Sequence, residues 1–208
     1  VDIGSTTTDI LLLNNNNVMA QGYSDYERLI SQELVYTGII RTAVMAITQT
    51  VQIDGIEIGI MAEYFATMAD AYRVIGELNE LHDQTDTADG AEKTVSASAK
   101  RLARMIGCDY HQTELPRWEQ FALSLRHQQV EKIQNACVRQ LSRILLPKEA
   151  PLIGAGVGRF LAKQIASNLG RPYRDFSDLM LGASNQDCDY VVADCAAAVA
   201  VAILISQI

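Results

Sequence analysis

Short apolar runs alternate with polar turns from the first residues of the chain. Val1 to Ile3 read as the tail of a buried strand, and Ile10 to Leu13 as a second apolar run. "NNNN" (Asn14 to Asn17) turns that run into Val18 to Gly22, which predicts a sheet opening on a hairpin over 1–22. "SDYERLISQELVYTGIIRTAV" (24–44) mixes a short polar helix with an extended run around Gly38. "GIEIGIMAE" (55–63) alternates as an apolar strand. Phe65, Met68, Ala69, Tyr72 and Ile75 then recur at helical spacing.

The polar, acidic stretch over 79–96 is too long for an idle turn. Helical sequence resumes from Ala97 to Cys108, and a longer helix is predicted from Thr113, as its cap, with Pro116 in the first turn. Phe121, Leu125, Val130, Ile133, Cys137, Leu141 and Leu145 recur every three to five positions and form a core-facing stripe. Pro147 and Pro151 bracket a break. A short strand then meets Gly154, Gly156 and Gly158, and a helix follows to Asn168. "VVADCAAAVAVAILI" from Val191 is too short to span a membrane, carries Asp194, and reads as a buried C-terminal helix.

With 208 residues, 49% hydrophobic and 20% charged, the chain can bury a sizeable core. Its formal net charge of −8 argues against nucleic acid and anionic membrane surfaces as partners. A small anionic substrate stays open, because one local cluster of donors outweighs a distant net charge. Cys108, Cys137, Cys188 and Cys195 show no CxxC spacing and read as reduced, mostly buried thiols of a cytoplasmic protein.

Two glycine-rich stretches carry candidate chemistry. In "VDIGSTTTDI", Gly4 permits a tight turn, Ser5, Thr6, Thr7 and Thr8 add hydroxyl donors, and Asp2 and Asp9 flank the turn. Two acids beside such a turn suit Mg²⁺ next to a phosphate, since hard oxygen ligands match that ion. The same residues also suit an ordinary hairpin whose side chains satisfy turn backbone. The Gly154–Gly156–Gly158 triplet departs from the dinucleotide fingerprint G-x-G-x-x-G. It fits a ligand or nucleotide loop, or close helix–strand packing.

Together the early acid-glycine-hydroxyl hairpin and the late strand-to-helix glycine turn resemble the second lobe of the actin/sugar kinase/Hsp70 (ribonuclease H-like) fold. That resemblance implies an α/β lobe over 1–208, a mixed sheet flanked by helices. Residues 1–22 would form its phosphate-loop hairpin, 79–146 a largely helical insertion, and 150–208 the glycine loop and C-terminal helix. The first phosphate loop of that fold is missing, so the chain reads as entering the fold at its midpoint.

A closer resemblance covers nearly the whole chain. "DIGSTTTDI", "ERLISQELVYTGIIRT", "AEYFATMADAYRVIGEL", "DTADG" with Lys93-Thr94, "RLARMIGCD" and "IGAGVGRFLA" are similar to the hydantoinase A/oxoprolinase superfamily. Within it, they resemble the tetrahydromethanopterin-linked one-carbon transfer pathway proteins. The resemblance implies a Mg²⁺-dependent, ether-forming transferase of methanofuran biosynthesis. The phenol of a tyramine- or tyrosine-type amine displaces diphosphate from a furanmethyl diphosphate.

On that reading Asp2 and Asp9 hold the metal, while Gly4 to Thr8 and Lys93 contact phosphate. Asp86 and Asp89 are the candidate catalytic carboxylates, and Gly154, Gly156 and Gly158 form the ligand or nucleotide loop. Glu63, Thr67 and Asp70 line the cleft or serve as caps and first-turn acids. Arg41 and Arg73 are expected to answer carboxylates in a buried pair. Two other functions stay open: an ATP-dependent ring-opening hydrolase, with ATP use undecided, and a non-catalytic lobe that dimerises. A missing lobe leaves apolar surface uncovered, so a homo-oligomer is expected.

Overall fold

The computed structural model of the chain describes residues 1–15, 17–180 and 191–206. In chain order the strands and helices are β1 (Asp2–Ile3), β2 (Thr8–Asp9), β3 (Leu13–Asn14), β4 (Asn17–Val18), α1 (Asp25–Ser31), β5 (Leu34–Val35), β6 (Thr50–Ile53), β7 (Ile56–Gly59), α2 (Met68–Val74), α3 (Val95–Arg104), α4 (Leu115–Leu141), β8 (Leu152–Gly154), α5 (Arg159–Asn168), β9 (Tyr173–Asp175) and α6 (Ala196–Ile205). They form mixed α/β structure with small sheets. The chain divides into two compact units, one of Val1–Tyr36 with Ile133–Ile208, the other of Thr37–Lys132.

In the first unit β1 and β2 pair antiparallel and β5 extends the sheet beyond β2. On the other edge Asp2 bridges Ala155 in parallel, and β8 pairs with β9, also in parallel. The result is a mixed run of strands with β1 at its middle. Helix α5 packs on β1, β8 and β9. Its Leu161, Ala162, Ile165 and Ala166 are buried, a spacing that puts one apolar stripe on the sheet. Leu13 and Val18 face each other across the β3–β4 pair, so the opening stretch folds as two hairpins in place of one.

Helix α1 starts on a capping box: the Ser24 hydroxyl accepts from Glu27 N–H, and the Glu27 carboxylate accepts from Ser24 N–H at 3.1 Å. It stops where Gln32 turns left-handed, at φ 61°.

In the second unit, β6 and β7 form a hairpin turning on Asp54 and Gly55, both at positive φ. That is the Asp-Gly signal of a two-residue turn. Every residue of α2 is buried, and α2 packs against α3. Trp118, Phe121, Ala122 and Leu125 are buried at the start of α4, with the Trp118 and Phe121 rings edge-to-face.

Several expectations are corrected. Thr113 does not cap the long helix; it lies inside a 3₁₀ turn over Gln112–Glu114 that runs straight into α4. The stripe is buried from Phe121 to Cys137, but Leu141 is half-buried and Leu145, beyond the helix end, is fully exposed. Helix α6 is not buried. Only Ala196 of its ten residues is, and Val201, Leu204 and Ile205 are exposed. Of the described cysteines Cys137 is buried, Cys108 half-buried and Cys195 exposed; Cys188 lies outside the described residues. Among the described residues no helix is long and apolar enough to cross a membrane.

Candidate functional site

The β1–β2 turn is set by its own backbone. Gly4 N–H donates to Thr7 O at 2.9 Å, which closes a tight loop through Ser5 and Thr6. The hydroxyls of Ser5 and Thr6 lie 3.4 Å apart. Thr8 is fully buried, so the accessible hydroxyls are those of Ser5, Thr6 and Thr7, each half-exposed.

The register Ile3↔Thr8 places Asp2 directly opposite Asp9. Like charges in that relation repel, and a cation answers one of them: Arg28 of α1 pairs with Asp9. No side-chain cation pairs with Asp2 among the described residues. Burial, joined by the Asp9 charge, pushes the Asp2 carboxyl above the usual carboxylate range.

Arg28 also donates to the backbone carbonyl of Glu33, which follows α1, at 3.5 Å. The fully buried Glu33 carboxylate accepts from Gln21 N–H, Gly22 N–H and the Ser31 hydroxyl, and pairs with Arg143 at 3.0 Å. Its own carbonyl accepts from Ile10 N–H, one residue past Asp9, at 2.8 Å. Burial alone would raise the Glu33 carboxyl, but these donors outweigh it and hold it below the usual range.

The late glycine loop adjoins this hairpin. Ile3 N–H donates to Ala155 O and Gly158 N–H to Ile3 O, at 2.9 and 2.8 Å. Gly156 has φ +80°, and a Cβ there would lie 2.3 Å from Asp2 Oδ1. A Cβ on Gly154 would lie 2.6 Å from the Tyr173 ring. These two glycines are therefore accounted for by close approach of β1 and of Tyr173. Arg159 fastens the loop. It donates to Gly156 O at 3.1 Å and to Asp175 at 2.9 Å, and pairs with Asp194.

The second unit holds the other predicted residues. Asp70 is buried: it accepts from Thr67 N–H at 3.0 Å, from Ser98 at 2.8 Å and from Arg101 at 2.8 Å. Thr67 and Asp70 thus form a helix start and a buried anchor. Arg101, fully buried, also pairs with Asp89 at 3.0 Å, and Asp89 caps its own turn by accepting from Ala91 N–H. Arg73 binds Glu80 and Asp83, at 2.8 and 2.6 Å. Lys93 donates to Asp83 O at 2.7 Å.

Burial would raise the Asp89 carboxyl, but the Ala91 N–H and Arg101 overcome it and lower it. Asp86 and Glu63 are exposed, and Asp86 has no ion-pair partner among the described residues. Arg73 is in a buried pair as expected; Arg41 is exposed and unpaired among the described residues. An open cleft of about 360 Å³, lined by Gln52, Asp54, Pro116, Arg117 and Gln120, contains none of the predicted site residues.

Nothing in the sequence marks Arg28, Glu33, Asp83, Arg101 or Arg159 for a role. Glu33 and Arg28 sit inside "ERLISQELVYTGIIRT", and that block was their only signal. Among the described residues no three His, Cys, Asp or Glu gather as a metal cluster.

Residues 1–177, from the Asp2–Asp9 hairpin through β9, match the hydantoinase/oxoprolinase family model. The chain belongs to the hydantoinase/oxoprolinase family. Two relatives carry the name (4-{4-[2-(gamma-L-glutamylamino)ethyl]phenoxymethyl}furan-2-yl)methanamine synthase. The protein from Methanocaldococcus jannaschii is 33% identical over 135 residues, 65% of this chain and 41% of its own length. The one from Methanococcus vannielii is 31% identical over 112 residues, 54% of this chain and 50% of its own. This family member therefore spans half or less of the curated relatives it matches.

Proposed function

We propose that this chain is part of a transferase of methanofuran biosynthesis that joins a phenol to a furanmethyl group and releases diphosphate. The observation that carries the reading is the Asp2–Asp9 hairpin with its hydroxyl turn, in a chain related to proteins named for a phenoxymethyl-furan product. As part of the same reading, residues 1–208 form the second lobe of an actin/sugar kinase/Hsp70-like fold, in a cytoplasmic protein that self-associates.

The reaction requires the furanmethyl carbon to lose its bond to diphosphate and gain one to the phenol oxygen, with the phenol proton passing to a base. The furan ring can feed electrons to that carbon, so departure of diphosphate runs ahead of attack. Catalysis then consists mainly of stabilising the leaving charge with fixed donors. In this proposal Ser5, Thr6 and Thr7 supply those donors. Asp2 and Asp9 fit Mg²⁺, an ion usually held by one or two carboxylates together with substrate phosphates. When bound, it would neutralise charge on the departing diphosphate.

A phenol has an ordinary pKa of about 10 and is a poor nucleophile while protonated. A carboxylate within hydrogen-bond reach takes its proton as attack proceeds. Asp86 and Asp89 are the proposed acceptors. The Arg101 pairing makes Asp89 a weaker base than an ordinary carboxylate.

The family name supports a second reading, an ATP-dependent ring-opening hydrolase. One experiment separates the two. Full-length protein is mixed with Mg²⁺, the furan diphosphate and the phenolic amine, without nucleotide, and the product is weighed by mass spectrometry. Ether formation supports the transferase; a strict need for ATP hydrolysis supports the hydrolase.

A further inference from the structure

Arg28 occupies a carboxylate that the proposed metal needs. Its guanidinium pairs with Asp9 and is itself only partly exposed. Asp2 and Asp9 face each other across the hairpin, so a divalent ion drawn to both would sit beside a fixed positive charge. A free cation is thus offered Asp2 together with an Asp9 already neutralised. Nor do other carboxylates make up the deficit, since among the described residues no third one joins them in a cluster.

A diphosphate changes the balance. A guanidinium fork matches phosphate oxygens bidentately and binds them more strongly than it binds a single carboxylate oxygen. Mg²⁺ for its part gives up its water reluctantly and prefers few carboxylates with phosphate oxygens completing its shell. We propose that Arg28 makes the hairpin a site for Mg²⁺ and diphosphate together, and a poor site for the ion alone. Arg28 holds Asp9 until a diphosphate takes its guanidinium, and Asp9 then turns to the ion. This inference rests on the hairpin being the diphosphate site.

The coupling is reciprocal, so diphosphate raises the affinity for Mg²⁺ by the same factor as Mg²⁺ raises that for diphosphate. The test is isothermal titration calorimetry on full-length protein with Mg²⁺ alone, inorganic diphosphate alone, and the preformed Mg²⁺–diphosphate complex. In the unaltered protein Mg²⁺ alone binds at least about tenfold more weakly than it does with diphosphate present. Arg28→Gln tightens Mg²⁺ binding in the absence of diphosphate and weakens diphosphate alone. Arg28→Lys, which keeps the charge and loses the fork, leaves weak Mg²⁺ binding in place. Equal Mg²⁺ affinity in Arg28→Gln and the unaltered protein, with both melting alike, would overturn the inference. A different result strikes the underlying reading: if Asp2→Asn and Asp9→Asn both bind the Mg²⁺–diphosphate complex normally, the hairpin is not the site at all.

Discussion

Gly156 lies against Asp2 so closely that a methyl group on it would sit 2.3 Å from the Asp2 carboxylate oxygen. The glycine loop before α5 and the acid at the end of β1 are thus one packed structure. Nothing larger than hydrogen fits between them, and the backbone at Gly156 is left-handed as well.

Gly156→Ala is therefore expected to destabilise the first unit by about 2–5 kcal/mol, from left-handed strain plus overpacking. Gly170 is the control: its φ is also positive, but nothing lies within 4 Å of an added Cβ. Gly170→Ala should cost only the strain, about 1–2 kcal/mol. Denaturant unfolding of both variants checks this; equal losses would mean that the contacts with Asp2 and with the Ile3 carbonyl, also 2.3 Å from the added Cβ, relax freely.

Arg101 and Asp70 make a buried ion pair at 2.8 Å, with the Arg101 side chain fully buried. Removing one partner of a buried pair costs up to about 3–5 kcal/mol, and Asp70 keeps Arg73 at 3.7 Å as a second cation, which holds the loss toward the lower end. Arg101→Met should show that reduced loss, and adding Asp70→Asn should recover part of it, because the Asp70 charge is then no longer left with the more distant Arg73 alone. A double-mutant cycle followed by thermal melting measures the coupling. A loss below about 1 kcal/mol for Arg101→Met would show that the network is dispensable.

Glu33 sets an acid limit on the first unit. Its carboxyl is held below its ordinary value of 4.5, so the folded state favours the ionised form. The stabilisation is complete above that value and is lost as pH falls through the lower folded one. Melting temperature should therefore drop more steeply below about pH 4.5 in the unaltered protein than in Glu33→Gln. At pH 7 the variant should be the less stable by about 3 kcal/mol, because Arg143 loses its buried partner. Parallel melting curves across this range would remove Glu33 from the account.

How much of this was legible in the sequence depended on range. The strand, glycine turn and helix over 152–168 were legible because apolar spacing and glycines are local signals. The β6–β7 hairpin carried an equally local signal, Asp54-Gly55 between apolar residues, yet only its second strand was expected. Arg28 and Arg101 were not legible: their partners lie 19 and 31 residues away, at no fixed spacing. The pairing of Asp83 and of Asp89 in the acidic stretch was hidden for the same reason. These carboxylates are drawn inward by two arginines on helices. Helix α6 misled in another way, since an apolar run says what prefers burial and not what covers it.

The central claim is that the Asp2–Asp9 hairpin handles the diphosphate of an ether-forming reaction. Its most direct test is the turnover of full-length protein with the furan diphosphate and the phenolic amine, followed by diphosphate release and product mass together. The account predicts one ether per diphosphate released, no nucleotide requirement, and a fall in kcat of about 10²–10³-fold in Asp9→Asn, the scale of losing one preorganised charge contact to a leaving group. An unchanged kcat in Asp9→Asn, or diphosphate released without ether, would contradict it.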